Sequence, residues 1–145
     1  MLNFSSLLII QLALTFFLNG IIWFLQVVHY PLYYKIKEGF HTYEKNYLKK
    51  AVFLMSPIMF LELISAILLI SDAETAIFVQ LASANLIFLI INWLSTFILQ
   101  NTEHQKLAVR FSVTSLHRLI STNWIRTFFW TVRGIILLIM AFLYF

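Results

Sequence analysis

The stretch that decides the fold runs from residue 75 to residue 102 and reads TAIFVQLASANLIFLIINWLSTFILQNT. It contains no Asp, Glu, Lys or Arg in 28 residues, and most of its side chains are apolar. A helix of about 20 such residues is long enough to cross the hydrocarbon core of a bilayer. We therefore predict a transmembrane helix, TM3, over residues 76–100.

Three other stretches have the same apolar character and a similar length, with at most two Asp, Glu, Lys or Arg residues each. The first lacks the charged leader and the small-residue cleavage site of a secretory signal peptide, so we interpret it as a retained helix. The four predicted helices are TM1 (about 5–29, ended by Pro31), TM2 (about 51–70), TM3 (about 76–100) and TM4 (about 123–144). Together they predict a single all-α domain, a four-helix transmembrane bundle.

The composition agrees with the bilayer as the solvent of this chain. Hydrophobic residues make up 61% and charged residues 11%, whereas soluble domains have roughly 45–50% apolar and 25% charged residues. The net charge of +4 comes from basic loops, which are expected of membrane proteins, so we do not predict nucleic-acid binding. Cysteine is absent, which excludes disulfides and thiolate metal sites.

The basic residues predict how the helices are oriented in the membrane. Eight of the ten Lys and Arg residues lie in two stretches, residues 32–50 and residues 103–121. Since cytoplasmic loops carry an excess of basic residues, both stretches are expected on the cytoplasmic side and both termini outside. We also predict a short helix along the membrane interface between TM3 and TM4, because apolar and basic residues are mixed in residues 103–121.

A polar layer is predicted near the middle of the membrane. Glu62 and Arg133 each lie roughly 15–17 Å from the cytoplasmic ends of their helices, and Asn19 and Asn92 lie at similar depth. A buried charge is tolerated when it is paired and hydrogen-bonded. We therefore predict a Glu62–Arg133 ion pair hydrogen-bonded by the two asparagines. This layer either holds the helices in register or forms a proton path or the floor of a substrate cavity.

A second group of polar side chains lies nearer the cytoplasm, on one face of TM1 and one face of TM4. Helical spacing of three or four residues places side chains on a common face. We predict that these two faces enclose a substrate pocket whose apolar and amide contacts are Trp23, Gln26, Asn123 and Trp130. Arg126 holds an anionic or carbonyl group there, or else extends to lipid phosphate.

All four histidines lie at the cytoplasmic ends of the predicted helices, and three of them are candidate acid–base residues: His29, His104 and His117. Imidazole titrates near neutral pH and also binds metals and haem iron. His29 and His104 can ligate one metal or haem if TM1 and TM3 are neighbours; otherwise these histidines are ordinary interfacial residues. The cofactor therefore stays open. The common motifs of zinc proteases, di-iron bundles, serine hydrolases and phosphate-binding loops are absent.

Four motifs give the chain a resemblance to a known family, and they span most of its length. They are Trp23-x2-Gln26-x2-His29-Tyr30-Pro31-Leu32, Pro57-x-Met59-x2-Glu62, His104-x2-Leu107 and Asn123-Trp124-Ile125-Arg126-Thr127-x2-Trp130-x2-Arg133. On these motifs the chain resembles a family of small, uncharacterised bacterial membrane proteins with four helices, which implies the fold but no established activity. A looser similarity in size and layout extends to anthrone-oxygenase-like membrane proteins. Tyr47 stands where the family pattern has a histidine, which argues against a metal ligand at that position.

These observations leave three hypotheses for function. The leading one is a small membrane enzyme, of a redox type, that acts on a lipid-soluble or amphipathic substrate entering from the bilayer. The second is an accessory or binding subunit of a larger membrane complex, in which the polar layers serve helix packing. The third is a small transporter or channel, active as a homo-oligomer.

Overall fold

Four long helices form the part of the chain that the computed structural model describes, residues 3–36 and 38–145. They are α1 (Phe4–Lys35), α2 (Phe40–Ser71), α3 (Ala76–Val109) and α4 (Val113–Tyr144). Each is long and apolar enough to cross a membrane, and no strand occurs in these described residues. The predicted all-α class with four helices of transmembrane type is confirmed.

Two of the helices contain a π-helical turn, and these turns change the predicted boundaries. In α1, regular α-helix over Phe4–Phe24 passes into a π turn over Leu25–His29, a short α segment and a final 3₁₀ turn over Tyr33–Lys35. The helix therefore continues past Pro31, which does not end it as expected. Pro31 lies in the first turn after the π segment, where its missing N–H is tolerated.

The stretch between TM3 and TM4 is also more regular than expected. A short helix, Asn101–Val109, does occupy it, but this helix continues α3 through the π turn Thr96–Gln100. The chain breaks only at residues 110–112, and α4 begins at Val113, ten residues before the predicted start. The side chain of Ser112 caps α4 by accepting a hydrogen bond from the Ser115 amide at 3.3 Å.

Helix α2 likewise starts earlier than predicted, at Phe40 instead of residue 51. Gly39 precedes it with φ of 68°, a left-handed conformation that costs a glycine little. The extra turns carry the lysine-rich segment into the helix and bring one of its carboxylates, Glu44, into the bundle, where it is fully buried.

Each helix packs mainly against two neighbours. Helix α1 contacts α2 and α4, and α3 contacts the same two helices, so α1 and α3 lie across the bundle from each other. Two apolar clusters fill the interior, one around Leu18, Leu107 and Trp130 and the other around Leu8 and Leu137. Large apolar side chains also cover the outer surface, as expected for a helix bundle whose solvent is lipid.

Candidate functional site

A cavity of about 360 Å³ lies between α2 and α3. Its walls are mostly apolar and come from residues 51–60 of α2 and residues 93–101 of α3. Val52 and Phe97 line the cavity and are also 60% and 58% exposed on the outer surface. The cavity therefore opens sideways, toward the lipid.

Three helices each supply a buried, ionisable side chain to the lining of the cavity. Tyr30 is supplied by α1, His104 by α3 and Arg126 by α4, and their exposed fractions are 1%, 6% and 4%. Tyr30 and His104 each follow a π-helical turn of their own helix. Such turns change the direction of the side chains that follow them and are frequent at functional sites. An apolar cavity with a few convergent polar groups is the usual form of a small-molecule site.

His104 is held between a carboxylate and a phenol. Its Nδ1 lies 2.5 Å from Glu44 Oε1, and its Nε2 lies 3.2 Å from the Tyr30 hydroxyl oxygen. With Glu44 ionised, and therefore only an acceptor of hydrogen bonds, and with the imidazole neutral, Nδ1 is the ring nitrogen that carries the hydrogen. Nε2 is then the acceptor, and the Tyr30 hydroxyl donates to it. This arrangement of carboxylate, imidazole and hydroxyl is suited to moving a proton at Tyr30.

Arg126 occupies the cavity without a carboxylate partner. Its Nη1 donates to Asn123 Oδ1 at 3.3 Å, and its guanidinium carbon lies 5.5 Å from the centre of the Trp130 ring. Its Nε is buried and has no hydrogen-bond acceptor in the described residues. Within residues 3–36 and 38–145, none of the ion pairs includes Arg126.

Asn123 and Gln26 continue the hydrogen bonding of this arginine away from the cavity. Asn123 Nδ2 donates to Gln26 Oε1 at 2.8 Å, and Gln26 Nε2 donates to the Ile120 carbonyl at 3.2 Å. Both amides are buried and link α1 to α4, with Asn123 Oδ1 directed at Arg126. They hold the guanidinium in place and do not line the cavity.

The predicted polar layer near the membrane centre is present as a hydrogen-bonded ion pair. Arg133 Nη1 lies 2.7 Å from Glu62 Oε1, and both side chains are fully buried. Thr15 and Trp130 also donate to Glu62 Oε1, at 2.8 and 3.3 Å. Arg133 Nε donates to Asn85 Oδ1 at 2.7 Å. None of these residues lines the cavity.

The asparagines expected to bond this ion pair do not do so. Asn19 accepts a hydrogen bond from Thr131 at 3.2 Å, and neither amide atom of Asn92 has a partner in the described residues. Asn85 takes the role predicted for Asn92 because the long arginine side chain reaches well away from its own Cα. Ser65 and Gln11, which are bonded to each other, extend the polar layer toward the chain termini.

His29 lies in an aromatic cluster beside the cavity. Its ring centre is 4.6 Å from that of Tyr47 and 5.0 Å from that of Tyr33. The Tyr47 ring centre also lies 5.8 Å from that of His104, so one tyrosine contacts both histidines. No group of three or more His, Asp or Glu side chains suited to a metal ion occurs in residues 3–36 and 38–145. A metal or haem held by His29 and His104 therefore stays a prediction without a complete ligand set.

The remaining predicted site residues lie elsewhere. His117 is exposed on the outer face of α4, away from the cavity. Trp23 is 41% exposed and donates from Nε1 to Thr131 at 3.0 Å, whereas Trp130 is buried against Glu62. None of the four side chains predicted to enclose a pocket between α1 and α4 lines the α2–α3 cavity.

Two residues of the candidate site were missed by sequence reasoning. The sequence predicts residues 32–50, which include Glu44, as a basic cytoplasmic loop, and Tyr30 enters the prediction only as part of a motif. The sequence does carry a signal for Glu44, because Phe40, Glu44 and Tyr47 have the three- and four-residue spacing of one helix face.

The chain matches no protein-family model, no curated protein and no solved structure. The residues themselves and their geometry are therefore the basis for assigning a function. At the level of class, four helices of membrane-spanning length define an integral, multi-pass membrane protein in contact with lipid.

Proposed function

We propose that this membrane protein is a small enzyme that binds a lipid-soluble or amphipathic molecule in the α2–α3 cavity and transfers a proton to or from it. The observation that carries the proposal is the meeting of Tyr30, His104 and Arg126 on one cavity that opens toward lipid. The apolar walls suit the hydrocarbon part of such a molecule. The polar groups suit the head group of the molecule, where the proton is transferred.

Tyr30 and His104 are the candidate catalytic residues of this proposal. As the Tyr30 oxygen removes a proton from the bound molecule, its own hydroxyl proton passes to His104 Nε2. The products are a ligand with one more negative charge, a neutral tyrosine and an imidazolium, so the charges balance. Glu44 is a positioning residue that fixes the imidazole tautomer and stabilises the imidazolium. Arg126 stabilises the negative charge that develops on the ligand.

The redox type of reaction that the sequence favours stays a hypothesis outside this proton-transfer scheme. The family resemblance implies a bacterial protein, and we retain that as part of the proposal.

The basic residues support an orientation for the site. Tyr30, Glu44 and His104 lie near the ends of the helices joined by the lysine-rich segment and by residues 110–112. The positive-inside rule predicts these ends in the cytoplasm. We therefore propose that the cavity opens to the cytoplasmic leaflet, with both termini on the other side of the membrane.

Deuterium uptake tests the proposal without knowledge of the substrate. Purified protein in liposomes is incubated in D2O with a lipid extract of its host cell, and the lipids are compared by mass spectrometry. A proton transferred at a carbon atom of the substrate leaves stable deuterium there, whereas deuterium on oxygen or nitrogen is lost again to water. We expect stable uptake with the wild-type protein but not with His104→Asn or Glu44→Gln.

Matched controls separate the site from general effects of mutation. His117→Asn and Glu38→Gln change the same residue types at exposed positions, so both are expected to retain full uptake. The proposal fails if no compound takes up deuterium, or if the folded site variants perform as well as the wild type.

The two rival hypotheses give different results in the same preparation. An accessory subunit would co-purify with a stoichiometric protein partner. A transporter would carry solute across the liposome membrane, and substitutions at His104 would leave both behaviours intact. The Glu62–Arg133 layer lies apart from the cavity. A role in helix packing therefore suits this layer whether the protein is an enzyme, an accessory subunit or a transporter.

A further inference from the structure

We infer that the ligand of the α2–α3 cavity is an amphiphile with a single hydrocarbon chain and a negatively charged head group that pairs with Arg126. This inference rests on the proposed binding function and specifies the class of molecule bound. Four observations support it: the pairing of the acidic residues, the contrast between two arginines of α4, the apolar walls and the cavity size.

The acidic residues of the chain leave Arg126 without a counter-charge. The chain has six of them, and all lie in residues that the structure describes. Three are paired elsewhere: Glu44 with His104, Glu62 with Arg133 and Glu103 with Lys106. The other three lie in exposed or turn segments: Glu38, Asp72 and Glu74.

A second arginine of the same helix shows how this bundle satisfies a structural guanidinium. Arg133, two turns from Arg126, is bonded to a carboxylate and to both oxygens of Asn85. Arg126 is almost as deeply buried, yet its neighbours are one amide oxygen, an aromatic face and the Tyr30 hydroxyl, and none of them is a carboxylate. A buried charge without a partner is costly, and an anion bound in the cavity would remove that cost.

The remaining lining indicates what is attached to the anion. Met55, Met59, Trp93 and Phe97 form apolar walls, and methionine adapts readily to irregular hydrocarbon shapes. The volume of about 360 Å³ lies near the lower end of the range for small-molecule pockets, roughly 300–1,000 Å³. This size suits one hydrocarbon chain and a small head better than a two-chain phospholipid.

Binding measurements with matched head groups test this inference. The probes are a fatty acid, a monoalkyl phosphate and a primary alcohol of the same chain length, titrated into protein in nanodiscs of neutral lipid. We expect both anions to bind about 100-fold more tightly than the alcohol, a ratio that corresponds to about 2.7 kcal/mol, since close charge pairs away from water bind favourably. The tighter of the two anions identifies the head as a carboxylate or a phosphate.

Variants of Arg126 show whether the preference comes from this side chain. Arg126→Gln should bind the fatty acid and the alkyl phosphate about as weakly as it binds the alcohol. Arg126→Lys should keep a preference for the two anions. Arg118→Gln removes an exposed arginine of the same helix and should behave as wild type. Because Arg126→Gln removes an unpaired buried charge, the ligand-free variant should unfold no more easily than the wild type.

The inference is overturned if the alcohol binds as tightly as the anions, or if Arg126→Gln keeps the anion preference. Deuterium uptake that persists under either outcome would leave the proposed enzyme in place with a neutral substrate. Loss of binding by every probe, together with no deuterium uptake, would instead remove the proposed function itself.

Discussion

The Glu62–Arg133 ion pair makes the stability of the bundle depend on a single carboxylate. Glu62→Gln keeps the size of the side chain and an oxygen that can accept from Thr15, Trp130 and Arg133. It removes the negative charge opposite a fully buried guanidinium. The new amide N–H group replaces Oε2, which has no hydrogen-bond partner in the described residues, so the variant also gains a buried donor without an acceptor.

These two changes determine how far the free energy of unfolding should fall in Glu62→Gln. Breaking a buried ion pair by neutralising one partner costs about 3–5 kcal/mol. We expect a value near the lower end, about 3 kcal/mol, because Asn85 still binds Arg133 through its side-chain and main-chain oxygens, at 2.7 and 3.2 Å. The double variant Glu62→Gln/Arg133→Met removes both charges. The double variant should be more stable than the sum of the two single-variant effects predicts. The difference, which is the coupling energy between Glu62 and Arg133, should be about 2 kcal/mol.

Reversible unfolding in bicelles or mixed micelles measures these free energies. The wild type, both single variants and the double variant form a double-mutant cycle, and Glu74→Gln in the exposed turn provides the control. The control should differ from wild type by no more than about 0.5 kcal/mol. A loss below about 0.5 kcal/mol for Glu62→Gln, or single effects that simply add, would refute the reasoning.

Three further predictions follow from the cavity and the packing. Glu44→Gln should lower deuterium uptake by at least about 100-fold with little change in ligand affinity, because it disturbs the tautomer of His104 and not the cavity wall; a proportional loss of affinity would contradict this. Met59→Trp should fill the cavity and abolish amphiphile binding in a calorimetric titration while the protein stays folded; undiminished binding would place the ligand elsewhere. Gly134→Ala should cost about 1 kcal/mol in unfolding measurements, since the added Cβ would lie 3.2 Å from the Phe16 ring; a stabilised variant would show that this ring moves away freely.

The four helices were predictable because the length and apolarity of a membrane span are local properties of the sequence. The Glu62–Arg133 pair was predictable too, since counting residues from the helix ends gives a depth in the membrane. The other hydrogen-bond partners of Glu62 and Arg133 were not predictable. Depth does not specify which way a long side chain extends, so the sequence pointed to Asn92 where the structure uses Asn85.

The cavity was not predictable because it depends on which helices are neighbours and where π-helical turns occur. The sequence places His29 and Gln26 on a common face with Trp23, assuming a regular helix. The π turn over Leu25–His29 interrupts that regularity and brings Tyr30 to the cavity. The start of α2 had a similar effect. The five lysines of residues 32–50 favour a loop, and this signal outweighs the helical spacing of Phe40, Glu44 and Tyr47.

Photo-crosslinking tests most directly whether the α2–α3 cavity is the binding site. A fatty acid with a diazirine in its chain is irradiated with the protein in nanodiscs, and the labelled peptides are identified by mass spectrometry. We predict labelling of residues 51–60 and 93–101 that saturates and is displaced by excess unlabelled fatty acid. Labelling spread evenly over the lipid-facing surfaces of all four helices, and unaffected by the competitor, would contradict the account.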